Sequence, residues 1–269
     1  MSSGDYISLD EWNNIPEPDR KVICNIIHEE QKENLPDQKV KFRETFYTNY
    51  GKRILDLIIG IPAFLVFLPV NIILGFITWL DVGVPILFSQ ERVGKNGKVF
   101  KLYKFRNMTN ETNAKGILLP PEKRVTKWGK FARRTSLDEL LNFWSILKGD
   151  MSIIGPRPLP QKYTNRFSTY HWQRHLIRPG LECPFHDKNI RINGWEERLD
   201  NDIWYVENVS FMTDVRMFFL LFKKVFSKNE RMVSAAGQQG EFIGYDEHAQ
   251  IITEGNIPRK YLELIKAGD

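Results

Sequence analysis

The sequence is poor in the residues that staple small folds or hold metal clusters. Its two cysteines, Cys24 and Cys183, lie far apart and outside any CxxC pattern. That excludes a disulfide framework and a cysteine zinc cluster, and a reducing compartment is expected. Histidine is also scarce. His171 and His175 stand at i, i+4, a spacing that can hold zinc, but no third ligand of suitable spacing accompanies them. Arg174 and Arg178 interleave with Trp172 and these histidines, yet no nucleic-acid motif surrounds them, so no nucleic-acid partner is expected. Neither internal repeats nor low-complexity tracts occur. The first fifty residues lack the apolar core and small-residue cleavage site of a secretory signal.

Apolar residues make up 42% of the 269 positions and charged residues 26%, which excludes global disorder. The net charge of +5 suits either a polyanionic partner (nucleic acid, anionic lipid or a phosphorylated small molecule) or simply a solvated basic surface.

Leu57 to Leu80 reads LIIGIPAFLVFLPVNIILGFITWL, without one charge. As helix it would measure about 36 Å, against about 30 Å of hydrocarbon in a bilayer. Its length disfavours a buried core helix. Pro62 and Pro69 interrupt it, and proline removes a backbone donor and clashes with the preceding turn. Both flanks are basic: Lys39, Lys41, Arg43, Lys52 and Arg53 before it, Arg92, Lys95, Lys98, Lys101, Lys104 and Arg106 after it. Because positive charge is retained in the cytoplasm, two basic flanks predict a helix-break-helix hairpin that enters and leaves by one face. The competing reading is a bitopic anchor carrying a basic, non-catalytic phosphate- or lipid-binding module. Lys52 and Arg53 are expected to snorkel to headgroups at the mouth of the hairpin.

Residues 84–93 and 98–106 flank Asn96-Gly97 and predict a β-hairpin. Helical patterning resumes near Leu137 and ends at Lys148-Gly149, and a further helix is expected over 160–177. Residues 215–226 are apolar with interleaved basic residues, which suits a helix lying in a membrane interface. Residues 1 to about 38 are acidic, proline-interrupted and expected to be partly helical at most.

Arg133-Arg-Thr-Ser-Leu-Asp-Glu-Leu140 permits two readings. Ser136 followed by Glu139 is a capping-box pattern, and acids in a first helical turn offset the macrodipole without any further role. Alternatively, an ionised carboxylate attacks phosphorus, with arginines offsetting the charge of a pyrophosphate. A carboxylate pair also holds Mg²⁺ together with substrate phosphates.

Lys52-Arg-Ile-Leu-Asp56, Gln90-Glu-Arg-Val-Gly-Lys-Asn-Gly97, Tyr103-Lys-Phe-Arg-Asn-Met108, Arg134-Thr-Ser-Leu-Asp-Glu-Leu140, Leu147-Lys-Gly-Asp-Met-Ser-Ile-Ile-Gly-Pro-Arg-Pro-Leu159 and Arg178-Pro-Gly180 follow one another in this order. Together they resemble the bacterial sugar transferase family, the monotopic polyprenyl-phosphate phosphoglycosyl transferases, over about residues 50–228. The resemblance implies an α+β, mostly helical membrane-associated domain. It would carry a re-entrant membrane helix over about 54–80 that breaks at Pro69, interfacial amphipathic helices and a small β-hairpin. It further implies Asp138 as the nucleophile that takes a sugar-phosphate from a UDP-sugar, and Glu139 as its partner. Asp138 and Glu139 would share Mg²⁺, and polyprenyl (undecaprenyl) phosphate would be the acceptor. The phosphate-contact candidates are Lys104, Arg133, Arg134, Arg157 and Arg178; Asp150 is a candidate for structure or metal support. The family often has serine before the breaking proline, where this chain has Leu68, with Asn71 nearby. The implied location is the cytoplasmic face of a bacterial inner membrane, in contact with phospholipid, with both termini cytosolic; a homodimer is compatible with the sequence. Residues 1–49 and 229–269 are expected to be extensions outside the catalytic domain.

Overall fold

The computed structural model describes residues 5–35, 37–186, 194–226 and 240–266. In chain order its elements are β1 (Tyr6–Ile7), α1 (Leu9–Asn14), α2 (Glu17–Asn34), α3 (Lys52–Val82), β2 (Leu87–Val93), β3 (Val99–Phe105), α4 (Pro121–Arg124), α5 (Lys127–Thr135), α6 (Asn142–Lys148), β4 (Ser152–Ile154), α7 (Thr169–Trp172), β5 (Gly180–Glu182), α8 (Trp195–Glu207), α9 (Phe211–Phe226), β6 (Phe242–Tyr245), β7 (Ile251–Thr253), β8 (Ile257–Pro258) and α10 (Lys260–Lys266). Four two-stranded sheets pair β1 with β8, β2 with β3, β4 with β5 and β6 with β7. The fold is the expected mixture of helix and strand. The contacts divide it into two units, residues 44–158 with 178–182, and residues 1–43 with 159–177 and 183–269.

The unit containing residues 44–158 is built on α3. The apolar run folds as one helix of 31 residues, entered through a π-turn at Tyr47–Gly51 and closed by Gly83, whose N–H bonds the Trp79 carbonyl. Helix persists across Pro62 and Pro69, so the break expected at Pro69 is absent as a change of secondary structure. Each proline removes one ladder donor, but flanking apolar residues remove the water that would compete for the neighbouring backbone groups.

The polarity of α3 is inside out. Lys52, Asp56, Asn71 and Thr78 are buried, whereas Ile58, Leu65, Val66 and Ile72 are 62–67% exposed. A helix on a water-soluble body shows the reverse. A polar stripe turned to protein and a wide apolar face turned outward suit a helix bathed in hydrocarbon. Among the described residues this is the one helix long and apolar enough to cross a membrane.

Both ends of α3 are fastened within its own unit. Arg53 donates to the carbonyls of Ile146 (2.5 Å) and Leu147 (2.7 Å), the last turn of α6, where a cation also meets the negative end of the helix dipole. Asp56 Oδ1 accepts from the Ser152 hydroxyl (2.8 Å) and the Ile153 N–H (3.0 Å) of β4. At the far end Arg106 donates to the carbonyls of Val82 and Val84, and Thr126 Oγ1 donates to Asp81 (2.6 Å). The headgroup role expected of Lys52 and Arg53 is therefore corrected: Lys52 is buried and Arg53 holds α6. A cation beside orphan helix carbonyls finds charge-assisted partners there without reaching for phosphate.

The β2–β3 hairpin forms as expected, with Val93 opposite Val99 and Asn96 at φ 55 in the turn. β4 and β5 pair in parallel, with Ser152 opposite Gly180. Side chains are excluded at this crossing: a Cβ on Gly180 would lie 2.2 Å from the Gly155 nitrogen.

In the second unit the two chain ends share a core. Ile7, Trp12, Ile23 and Ile27 pack with Ile243, Ile252, Ile257 and Tyr261, and Tyr6–Ile7 pairs antiparallel with Ile257–Pro258. The N-terminal segment is thus more helical than expected, through α1 and the 18-residue α2, and it is half of a core rather than a polar appendage. Its apolar positions are spaced among charges and become a face only when the C-terminal strands supply the other half. This unit also takes in 159–177 and 183–226, so its limits differ from boundaries drawn at 49/50 and 228/229. Position 228/229 lies outside the described residues.

The helix expected over 160–177 is instead a series of short turns, 3₁₀ at Gln161–Arg166, α7, then 3₁₀ at Gln173–Leu176. Phe167 and Ser168 are extended, and the Ser168 side chain caps α7 at the His171 N–H. His171 lies between Tyr245 Oη (2.6 Å) and Asp200 Oδ1 (2.9 Å), and His175 meets the Trp172 carbonyl. No cluster of three metal-ligating side chains occurs among the described residues. α9 exposes Phe211, Met212, Phe219 and Phe222, as an interfacial helix would.

Trp12→Ala is expected to cost about 3–5 kcal/mol by opening the core shared by the chain ends. Urea denaturation in detergent checks this against exposed Asp10→Ala, expected within about 0.5 kcal/mol of the parent.

Candidate active site

The acid pair stands where α5 stops. Thr126 caps that helix through its hydroxyl at the Gly129 N–H (2.8 Å). Ser136, left-handed at φ 57 and ψ 22, ends it, and a single 3₁₀ turn, Leu137–Glu139, leads toward α6. This corrects the capping-box reading. Ser136 makes no side-chain cap: it ends α5 and stands at the N-cap position of the 3₁₀ turn at once. Arg133 and Arg134 accordingly lie in the last turn of α5, where cations suit the helix dipole.

Glu139 does not reach back to the backbone as a capping box requires. Its Oε1 accepts from Lys104 Nζ on β3 (2.6 Å) and from Arg157 Nη2. Arg157 also donates to the Leu181 carbonyl on β5 (3.2 Å). Burial alone would raise the Glu139 carboxyl, but the charges of Arg157 and Lys104 prevail and hold it at about 2. Asp138, only 6% exposed, is driven the other way. Burial raises it first, then the adjacent Glu139 charge, against weaker opposition from Lys104 and Arg133. Two neighbouring carboxylates are thus driven apart: Glu139 is held ionised by its cations, and the Asp138 carboxyl lies above its ordinary value.

Asp138 has a further neighbour. Asn107, just beyond β3, donates from Nδ2 to Asp138 Oδ2 (3.2 Å), and Arg133 Nη2 donates to Asn107 Oδ1 (2.7 Å). Gly129 permits this: a Cβ there would lie 2.2 Å from the Asn107 carbonyl oxygen.

Of the residues expected in the site, Glu139, Lys104 and Arg157 meet directly, and Asp138 and Arg133 are joined through Asn107. Arg134 is exposed on α5. Arg178 donates from Nε to the Gly149 carbonyl (3.0 Å), securing the end of α6 instead of the acid pair. Asp150 pairs with Lys148 at 2.7 Å. Asn107 and Gly129 were missed. Asn107 lies inside the Tyr103–Met108 motif, which was the available signal, but only the fold brings it to Asp138.

The oxygen donors suit a hard cation in part. Two adjacent carboxylates are present without a third acid among the described residues, so water and ligand phosphates would have to complete a magnesium shell.

The two carboxyls give opposite pH signatures. Because Glu139 falls from an ordinary 4.5 to about 2, its stabilisation is complete above about pH 5 and is lost as pH drops toward 2. Glu139→Gln should therefore cost about 3 kcal/mol at pH 7, with the gap closing on acidification. Asp138 is raised, so ionising it costs stability as pH climbs through its folded value. Asp138→Asn should then melt above the parent at pH 7. Denaturation curves across pH check both signs.

The model of the bacterial sugar transferase family matches residues 47–228. The chain is 42% identical over 146 residues to the uncharacterized sugar transferase EpsL of Bacillus subtilis, covering 54% of this chain and 72% of that protein. It is 32% identical over 176 residues to the UDP-N-acetylgalactosamine-undecaprenyl-phosphate N-acetylgalactosaminephosphotransferase of Aeromonas hydrophila, covering 62% of this chain and 42% of that one. It is 33% identical over 190 residues to the UDP-glucose:undecaprenyl-phosphate glucose-1-phosphate transferase of Escherichia coli, covering 65% and 40%. The chain therefore spans about two-fifths of the length of the latter two relatives. Since the matched span opens at the turn leading into α3 and takes in every residue of the acid site, this chain belongs to the bacterial sugar transferase family.

Proposed function

We propose that this protein is a phosphoglycosyl transferase that moves a sugar-1-phosphate from a UDP-sugar to polyprenyl phosphate, at the cytoplasmic face of a bacterial inner membrane. The observation that carries this reading is the buried Asp138 beside a Glu139 already balanced by Lys104 and Arg157. The names of the Aeromonas and Escherichia relatives, which specify a UDP-sugar and undecaprenyl phosphate, support the same substrate classes.

In the proposed reaction an Asp138 carboxylate oxygen attacks the β-phosphorus of the UDP-sugar. The bond from that phosphorus to the bridging oxygen breaks, UMP leaves, and an aspartyl phosphosugar remains. An oxygen of polyprenyl phosphate then attacks the same phosphorus and expels Asp138, giving polyprenyl diphosphate sugar. Phosphoryl transfer needs in-line placement and charge neutralisation more than acid–base force. Lys104 and Arg157 supply a positive wall beside the reacting carboxylate, and Arg133 adds a third cation through Asn107. Burial strips water from Asp138, which makes its ionised form more reactive. Asp138 and Glu139 would hold Mg²⁺ together with the diphosphate, and the ion would add charge neutralisation there.

A lipid acceptor and a soluble donor meet most readily at a membrane surface, and α3 supplies the contact. We place both chain ends in the cytosol, with α3 bending at its prolines within the bilayer so that it enters and leaves by one face. The pairing of Tyr6–Ile7 with Ile257–Pro258 supports this topology. Those strands precede and follow α3 in sequence, and a single crossing would put them on opposite sides of the bilayer.

Mixing the protein with Mg²⁺, undecaprenyl phosphate and a panel of UDP-sugars should release UMP with one or a few members of the panel. Asp138→Asn should lower that release at least a thousandfold, on the order expected for a covalent nucleophile; turnover near the parent level would remove Asp138 from the mechanism. Membrane-impermeant labelling of Thr45→Cys and Asn110→Cys in oriented vesicles should mark both from the same side. Labelling from opposite sides would establish a crossing helix instead.

A further inference from the structure

We propose that Asn107 is a positioning residue that fixes which carboxylate oxygen of Asp138 meets the phosphorus, and that Arg133 sets the orientation in which Asn107 does so. The inference rests on the proposed role of Asp138 as nucleophile, and it adds a residue to which no role was attached.

The geometry begins with donors and acceptors. A guanidinium only donates, so Arg133 Nη2, 2.7 Å away, requires the amide oxygen of Asn107. That choice turns the amide nitrogen toward Asp138 Oδ2, which receives its hydrogen at 3.2 Å. One cation thereby decides the flip of an amide, and the amide decides which lone pairs of the carboxylate are occupied. With Asp138 Oδ2 engaged by Asn107, the proposal assigns the attack to the other oxygen. A carboxylate held at one oxygen loses rotational freedom about its terminal torsion, which would otherwise be broad and roughly two-fold. Near-attack placement of a nucleophile is sensitive to such freedom.

The backbone is arranged around the same contact. Asn107 follows Phe105, where β3 ends, and Arg106 is anchored to Ile86, Val82 and Val84. On its other side α5 comes so close that only glycine fits at 129. The charged groups around Asp138 are its neighbour Glu139, Lys104 from β3, Arg133 from α5, and Arg157 from the loop after β4. Lys104 and Arg157 are committed to Glu139 Oε1. Asn107 is the side chain that reaches Asp138 itself.

Three variants test this: Asn107→Ala, Asn107→Asp and Arg133→Ala. The first step is read as UMP released in a single turnover without lipid acceptor. Positioning predicts that Asn107→Ala slows that step about tenfold, while the UDP-sugar concentration at half-saturation changes less than about threefold. Arg133→Ala should slow it similarly, and the double variant should be little slower than either single one. Asn107→Asp keeps the shape but replaces the donor with an acceptor, so it should be slower still than Asn107→Ala. A side chain that merely fills space gives the reverse order, with Asp milder than Ala, and that order would overturn the inference. So would full additivity of Asn107→Ala and Arg133→Ala.

Melting temperatures give a readout independent of turnover. Asn107→Asp should melt below Asn107→Ala in the parent, and the difference should vanish in an Asp138→Asn background. Persistence of the difference there would also overturn the inference. A parent protein that releases no UMP from any UDP-sugar would sink the proposed reaction, while the melting cycle would still decide the contact between Asn107 and Asp138.

Discussion

A single carboxylate oxygen joins the pieces of the acid site. Glu139 Oε1 accepts from Lys104, 35 residues earlier, and from Arg157, 18 residues later. The β-hairpin, the 3₁₀ turn after α5 and the loop after β4 therefore meet at one anion. Removing that anion would leave two partly buried cations facing each other, and their repulsion would push apart the segments they close. The same clamp leaves its mark on Asp138. Burial raises the Asp138 carboxyl first, and the ionised Glu139 beside it raises it further. Structural glue and chemical asymmetry come from one contact.

The second constraint is the reversed polarity of α3. Its polar residues face inward and bind α6 and β4, so the helix is held by polar contacts that water would weaken. Many of its apolar residues, Ile58, Leu65, Val66 and Ile72 among them, stay exposed in the described chain, although Leu74 is buried. This is the balance expected when the surrounding medium is hydrocarbon: apolar packing gives little there, and hydrogen bonds fix the fold. The aromatic pairs Phe64–Trp144 and Phe67–Phe143, with centroids 5.9 and 5.4 Å apart, extend the seam of α3 along α6.

How much was legible in the sequence depended on the range of the forces involved. The β2–β3 hairpin was legible because Asn96-Gly97 encodes its turn locally. The stop of α6 at Gly149 was legible for the same reason. The length and apolarity of α3 needed only a window of residues. Ser136 misled because serine followed by glutamate three residues later suits a helix start. Here Ser136 ends α5 and begins the 3₁₀ turn without a side-chain cap, and Glu139 finds stronger partners in two cations than in a backbone N–H. Lys52, Arg53 and Arg178 misled in a related way. As basic residues near a membrane or a turn they suggested phosphate, yet Arg53 and Arg178 serve carbonyls at the end of α6, and Lys52 is buried. The shared core of the two chain ends was illegible because neither half is amphipathic enough to announce a partner more than 200 residues away.

By itself the sequence determined the long apolar helix, the hairpin, the acid pair Asp138–Glu139 and the cations able to serve it. These rest on composition and short-range pattern, which act within a few turns of chain. Tertiary structure alone decided which acid the cations reach, which carboxyl is held low and which is raised, and that Asn107 rather than Arg134 or Arg178 stands at Asp138. Those outcomes depend on burial and on contacts of a few ångströms between distant segments, and neither quantity exists until the chain has folded.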